Sequence, residues 1–264
     1  MKSLRRKVYS VTFWRITSII IIVFIWELIA GGLFSNFILI DPVFISRPTL
    51  IARDFYDYAL SGLLIIDLSA TLSEAMIGFA SGLMVGVGLG LFMSHFRTLA
   101  RVVEPYLTAL TTLPRIALAP IMVIWFGLGL PSKIVLSFLS AFLITFFNTY
   151  VGVLSVDQEL INAIKALGAS SRQIYFHVIL PSVYSWVFAS LRVCVGYCLI
   201  AAVAGEFVGA TAGLGYRMLL ASGLLRTDRV FSCFFLLMIV GYLLVESFKR
   251  IENRLLRWRP QVIT

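Results

Sequence analysis

The chain has 264 residues, of which 60% are hydrophobic and 13% charged, with a formal net charge of +9 and a mean hydropathy of +0.96. Soluble domains carry about a quarter charged residues, so this composition excludes an ordinary water-soluble enzyme or binding domain and points to a membrane protein. The basic residues lie mainly between and outside the apolar runs, not in a patch interleaved with exposed aromatics, which argues against nucleic acid as a partner.

A hydrocarbon core of about 30 Å takes roughly 20 apolar residues per helix, and about six such stretches occur. The first covers residues 16–34, after the basic start Lys2, Arg5, Arg6 and Lys7. That start is similar to the basic region of a signal peptide. The run is longer than a signal's apolar region and no Ala-x-Ala closes it, so an uncleaved first helix is predicted. A loop of about forty residues with Asp41, Asp54, Asp57 and Asp67 follows. Pro42 and Pro48 predict an extended start for it, and residues 50–60 a short surface helix.

The second span is predicted at residues 72–93. There Gly78, Gly82, Gly86 and Gly90 recur at every fourth position, and Gly88 lies between them. Such a stripe of small residues lets a neighbouring helix backbone approach closely. The third span, residues 110–126, is interrupted by Pro114 and Pro120. Carbonyls freed by proline need protein or a water-filled cavity alongside, so both prolines are candidates for a translocation pathway. The fourth span, residues 134–153, carries Thr145 and Asn148 near Phe142, Phe146 and Phe147. This polar pair either lines a pathway or makes hydrogen bonds between helices.

A polar insert, residues 155–181, precedes the fifth span at 183–203 and the sixth at 230–245. In the insert, Ser155-x-x-Gln158 and Ser170-x-x-Gln173 fit capping boxes. Gly168 suits the positive φ that often follows a helix. Ile174, Tyr175, Val178 and Ile179 form an apolar stripe at helical spacing, and Pro181 is expected to end that helix. Such a segment either docks in a partner's groove or lies flat on the bilayer. Cys194 and Cys198, one turn apart in the fifth span, read as small packing residues rather than a soft-metal pair, and with Cys233 they imply no disulfide framework. The tail carries Lys249, Arg250, Arg254, Arg257 and Arg259. With both termini inside, the start, Arg15, Arg97, Arg101, Arg115, Lys165, Arg172 and the tail outnumber the outer set of Arg47, Arg53, Lys133, Arg217, Arg226 and Arg229. That asymmetry places both termini and the insert in the cytoplasm.

Three ionisable residues lie in or at the edge of spans: Glu27, Arg192 and Glu206. Charge there is costly and faces a bundle interior or a cavity. Glu206 follows Pro181 by roughly 30 Å of helix rise, which puts it near the outer mouth, with Arg192 nearer the inner end. Each is read as a gate or pathway contact, or else as a buried pair or helix-end anchor. Glu27 is read as interfacial.

The segment Asn162-Ala163-Ile164-Lys165-Ala166-Leu167-Gly168, followed by Val178-Ile179-Leu180-Pro181, resembles the cytoplasmic coupling loop of ABC importer permeases. The family's pattern is Glu-Ala-Ala, three residues, Gly, nine residues, then a β-branched residue, any residue and Leu-Pro. The chain keeps Ala163, Gly168, Val178, Leu180 and Pro181, and departs at Asn162 and Ile164. Trp26-Glu27, Pro114, Pro120, the 125–129 turn, Asn148, Leu191-Arg192, Gly205-Glu206 and Gly213-Leu214-Gly215-Tyr216 look like the nitrate, sulfonate and taurine branch. The resemblance runs from about residue 16 to residue 258. It implies an all-α membrane protein, a single permease domain over residues 1–264 with its core at about 68–250 and its coupling loop at about 155–181.

The resemblance also implies a non-enzymatic subunit of a bacterial inner membrane, moving a small anion such as nitrate, a sulfonate or taurine, or else a thiamine-precursor pyrimidine. Its partners would be a second permease copy, two cytoplasmic ATPase subunits, a periplasmic or lipid-anchored substrate-binding protein and the lipid bilayer. ATP and Mg would sit on the ATPase subunits, and no cofactor in this chain, which has no Gly-x-x-x-x-Gly-Lys-Ser/Thr loop. Glu159, Asn162, Ala163, Gly168, Ile174, Tyr175, Val178, Leu180 and Pro181 would couple to the ATPase, with Glu159 replacing the charge lost at Asn162. Pro114, Pro120, Thr145, Asn148, Arg192 and Glu206 are the pathway candidates. An ion-coupled secondary transporter would instead show two similar halves with paired broken helices, and only the third span carries a proline break. A membrane enzyme would need clustered acids or histidines, and no metal motif surrounds His95 or His177.

Overall fold

The computed structural model describes residues 2–31 and 42–255. Among them every regular element is helical. In chain order these are α1 (Lys2–Gly31), α2 (Pro42–Ile45), α3 (Pro48–Leu60), α4 (Leu63–His95), α5 (Arg97–Thr112) and α6 (Arg115–Phe126). There follow α7 (Leu130–Leu154), α8 (Gln158–Ala166), α9 (Ser171–Ile174), a π turn (Tyr175–Ile179), α10 (Leu180–Val208), α11 (Leu214–Gly223) and α12 (Thr227–Leu255). Among the described residues five helices are long and apolar enough to cross a membrane, and the bent pair α5–α6 makes a sixth if counted as one span. Residues 32–34 of the first predicted span, and Asp41, lie outside the described residues.

The third predicted span is therefore not one helix. Its two parts meet at 98°. Leu113 is extended, as a residue before proline is forced to be, and Pro114 is the extended residue (φ −63°, ψ 110°) that immediately precedes α6. Pro120 sits within α6 without ending it.

The contacts divide the chain into two compact units. In the first, residues 1–65 and 217–236, Pro42 and Pro48 each open a helix instead of an extended stretch. Proline suits the first helical position because the missing N–H would lack an intrahelical acceptor there anyway. The carboxylate of Glu27 accepts from the Thr49 backbone N–H at 3.1 Å and from its hydroxyl at 2.9 Å. This puts negative charge at the positive end of α3. Trp26 packs against Phe231 and Phe235, with centroids 5.4 and 6.0 Å away. Asp54, expected on a surface loop, is buried and pairs with Arg226 at 3.1 Å and Arg229 at 2.7 Å. The Arg229 guanidinium also covers the Tyr58 ring at 4.2 Å.

In the second unit, residues 66–216 and 237–264, α7 packs along α6 and α10. Ala119, Met122, Leu136 and Ala201 form the contact of α6 with this pair. The glycine stripe of α4 lies directly against the α7 backbone around Ser137, Ala141 and Thr145. Cys194 and Cys198 are core residues beside Ala75, Phe79 and Ala141. The Ser137 hydroxyl donates to the Cys198 carbonyl at 3.1 Å, and the Cys198 thiol donates to the Ser137 carbonyl at 3.3 Å.

Candidate functional site

The insert between α7 and α10 differs from its local rules in two places. Ser155 caps the end of α7; the start of α8 is capped by Asp157, whose carboxylate accepts from the Glu159 N–H at 2.8 Å. The second capping box does form. Gln173 N–H donates to the Ser170 hydroxyl at 3.3 Å, and Ser170 N–H donates to Gln173 Oε1 at 2.8 Å. Pro181 does not end the helix: α9, the π turn and α10 run on as one 38-residue stretch, Ser171–Val208. The π turn resolves the conflict. The Leu180 N–H reaches back to the Tyr175 carbonyl, and the wider turn relieves the clash a proline ring makes with the carbonyl four residues earlier.

Gly168 has φ +86°, and its N–H donates to the Lys165 carbonyl at 2.9 Å. α8 buries none of its residues, so Glu159, Asn162 and Ala163 are all exposed. The Gln158 amide donates to Asn162 Oδ1 at 3.3 Å. The apolar stripe is not the outward face: Ile174 and Val178 are only 4% and 7% exposed, and Tyr175, Ile179, Leu180 and Pro181 are half-buried. Exposed apolar surface comes from Leu160, Phe176 and Leu167, the last being 86% exposed. None of the three stands out in the sequence; Leu167 sits just before the positive-φ glycine.

A second constellation lies at the other end of α7 and α10. Glu206 is 0% exposed, as are Asp67 and Thr71. The Thr71 hydroxyl donates to Glu206 Oε1 at 2.6 Å, and the Gly215 N–H donates to Oε2 at 2.5 Å, joined by the Tyr216 N–H. Gly213 N–H donates to Asp67 Oδ1 at 3.0 Å, and Leu214 N–H to the Thr71 hydroxyl at 2.9 Å. Four successive backbone donors of residues 213–216 are thus held by side chains of α4 and α10. Glu74, also buried, lies beside Glu206. The Lys133 ammonium donates to the carbonyls of Leu128 and Gly129, the latter at 3.0 Å. Lys133 is therefore buried and is not an outer surface charge.

Glu206 is thus a clamp on the loop after α10, and the tight loop depends on glycine. Gly213 has φ +122°, and a Cβ there would lie 2.3 Å from Glu206 Oε1. Sequence reading found Glu206 but missed Asp67, Thr71, Glu74 and Lys133. The signal was present, because residues 67, 71 and 74 have the i, i+4, i+7 spacing of one helical face.

The other pathway candidates are scattered. Thr145 is buried against α4, donating to Ala141 O at 2.8 Å and Gly82 O at 3.4 Å. The Asn148 amide donates to Ile144 O at 2.8 Å. Arg192, Pro114 and Pro120 are exposed.

A family profile described as "Binding-protein-dependent transport system inner membrane component" matches residues 82–258. The formylaminopyrimidine transport permease protein of Halalkalibacterium halodurans is 33% identical over 90% of this chain and 92% of its own. The taurine transport system permease protein of Escherichia coli is 31% identical over 85% of this chain and 83% of its own. The riboflavin transport system permease protein of Chloroflexus aurantiacus is 33% identical over 98% and 94%. Among solved structures, a chain of the MetNI methionine ABC transporter in an inward-facing conformation aligns with TM-score 0.63 and 21% identity, covering 74% of this chain and 97% of that one. That likeness shows a shared fold.

Proposed function

The chain belongs to the family of binding-protein-dependent transport system inner membrane components, and on that premise we propose that it works as one half of a permease homodimer that moves a small anion into the cell by alternating access. It is a multi-pass membrane subunit of an ABC importer and not an enzyme. The supporting observation is the exposed insert, with α8 and the Gly168 turn standing free between two apolar helices. In this reading separate cytoplasmic ATPase subunits bind ATP and Mg and grip α8 through Glu159, Asn162, Ala163 and Leu167. Their closure is transmitted through the π turn and Leu180-Pro181 into α10. A coupling element works only if its contacts differ between the inward and outward states.

Gly168→Val tests the coupling. No atom lies within 4 Å of a Cβ at Gly168, so the substitution adds backbone strain without a clash. A β-branched residue at positive φ costs about 1–2 kcal/mol or more. The variant should reach the membrane at normal level yet lose uptake. Normal uptake would remove the insert from the coupling path.

Orientation follows from the charge asymmetry. Reporter fusions after Leu255 and at Asp57 should report opposite sides, with the former in the cytoplasm; a same-side result rejects the topology. For the solute, relatives named for taurine and for aliphatic sulfonates support a sulfonate-like anion. The relative named for formylaminopyrimidine supports a pyrimidine as the second reading. Uptake of labelled taurine and of formylaminopyrimidine, in cells with and without the chain, separates them.

A further inference from the structure

At the end of α4 and the start of the α9–α10 stretch lies a groove of ≈ 810 Å³, within the ~300–1,000 Å³ range of small-ligand sites. Leu91, Phe92, Phe96, Ile161 and Ile174 contribute its apolar surface, and Lys165, Arg172 and His95 its basic groups. No acidic residue lines it. Among the described residues neither Lys165 nor Arg172 forms an ion pair. Both are exposed, and the Arg172 guanidinium stands 5.9 Å from the Phe176 ring centroid.

We propose that this groove binds an anionic phospholipid, with the phosphate held by Lys165 and Arg172 and an acyl chain laid along the aromatic and aliphatic wall. Three observations converge on that occupant. The groove sits where two membrane-crossing helices end, since His95 closes α4 and Ser171 opens the next stretch. That is the depth of the headgroups, where basic pockets between spans attract anionic lipid. Its composition joins an apolar wall to two uncompensated cations; a purely apolar ligand would leave them without a counter-charge, and a zwitterionic lipid would bring a headgroup cation beside its phosphate, so that its net charge would not offset them. Gln158 and Ser171 add polar groups beside them. Finally, α8 presents Gln158, Ile161 and Lys165 to the groove, whereas Glu159, Ala163 and Leu167 do not line it. One face of the helix is left for a protein partner while the other meets lipid. The proposal needs only that the chain sits in a membrane, so it stands apart from the coupling role and the solute.

The test is native mass spectrometry of the full chain in neutral detergent, titrated with phosphatidylglycerol or with phosphatidylcholine of the same acyl chains. Phosphatidylglycerol should be retained at least tenfold more tightly. Lys165→Gln and Arg172→Gln should each weaken it about fivefold, the contribution of one basic residue beside an anionic lipid surface. Lys249→Gln, an exposed charge on α12 outside the groove, should change nothing. Equal retention of the two lipids overturns the proposal, as does an equal loss with Lys249→Gln. Displacement of the lipid by glycerol phosphate at matching concentration would make this a free-anion site, and loss of lipid from the chain co-purified with its ATPase would make it part of the subunit interface. Either result rejects a lipid site.

Discussion

Glu206→Leu is expected to cost about 3 kcal/mol of stability or more and to abolish uptake, because this carboxylate holds the loop that follows α10. Single hydrogen bonds between membrane helices are weak, averaging about 0.6 kcal/mol, so losing Thr71 as a partner would by itself be minor. The backbone decides the magnitude. The N–H groups of Gly215 and Tyr216 both donate to this carboxylate, and each buried donor left unpaired costs about 1–3 kcal/mol. Leucine also brings a branched end to a space bounded by Gly213 and Gly215, where even an added Cβ on either glycine would come within 2.3 and 2.8 Å of Glu206. Glu206→Gln keeps one acceptor oxygen and offers an N–H to Glu74, so its loss should be about half as large. Thermal unfolding of the purified protein, with uptake measured in parallel, ranks the variants. A Glu206→Leu protein within about 0.5 kcal/mol of the parent would show that the loop is not held by this carboxylate.

The spans were legible because hydropathy is a local property, and α7 and α10 contain the predicted residues 134–153 and 183–203 almost centrally. Helix ends were less legible where polar residues continue the helix inside the protein. α4 starts at Leu63, well before the apolar run at residue 72, because Asp67 and Thr71 find donors in residues 213 and 214. No local pattern announces a partner more than 140 residues away. Asp54 shows the same effect: it reads as a solvated loop acid until Arg226 and Arg229 close over it. Proline was informative at Leu113-Pro114, where nothing opposed the extended conformation. It misled at Pro181, where a π turn lets the helix run through. The insert's cap at Ser170 and its glycine turn were readable because both are satisfied within a few residues.

The glycines of α4 should separate by position, since the same substitution is expected to act with opposite sign two turns apart. A Cβ at Gly82 would lie 2.5 Å from the Phe138 carbonyl oxygen, 2.7 Å from Ala141 Cβ and 2.9 Å from Phe142 N. Two of those atoms are helix backbone, which cannot swing aside as a long side chain can. Gly82→Ala must therefore push α4 and α7 apart, an overpacking cost of about 1–3 kcal/mol. At Gly88 nothing lies within 4 Å. Alanine there meets no neighbour and removes the entropy penalty of a helical glycine, so Gly88→Ala should be neutral or stabilising by about 0.5–1 kcal/mol. Thermal unfolding of the two purified variants is the measurement, and a shift of the same sign and size in both would mean that the stripe is not a close helix contact. The effect should reach transport as well. α7 carries the Lys133 anchor of the 127–129 turn at one end and leads into the insert at the other, so spreading it from α4 by Gly82→Ala should lower uptake, whereas Gly88→Ala should leave uptake at the level of the parent protein.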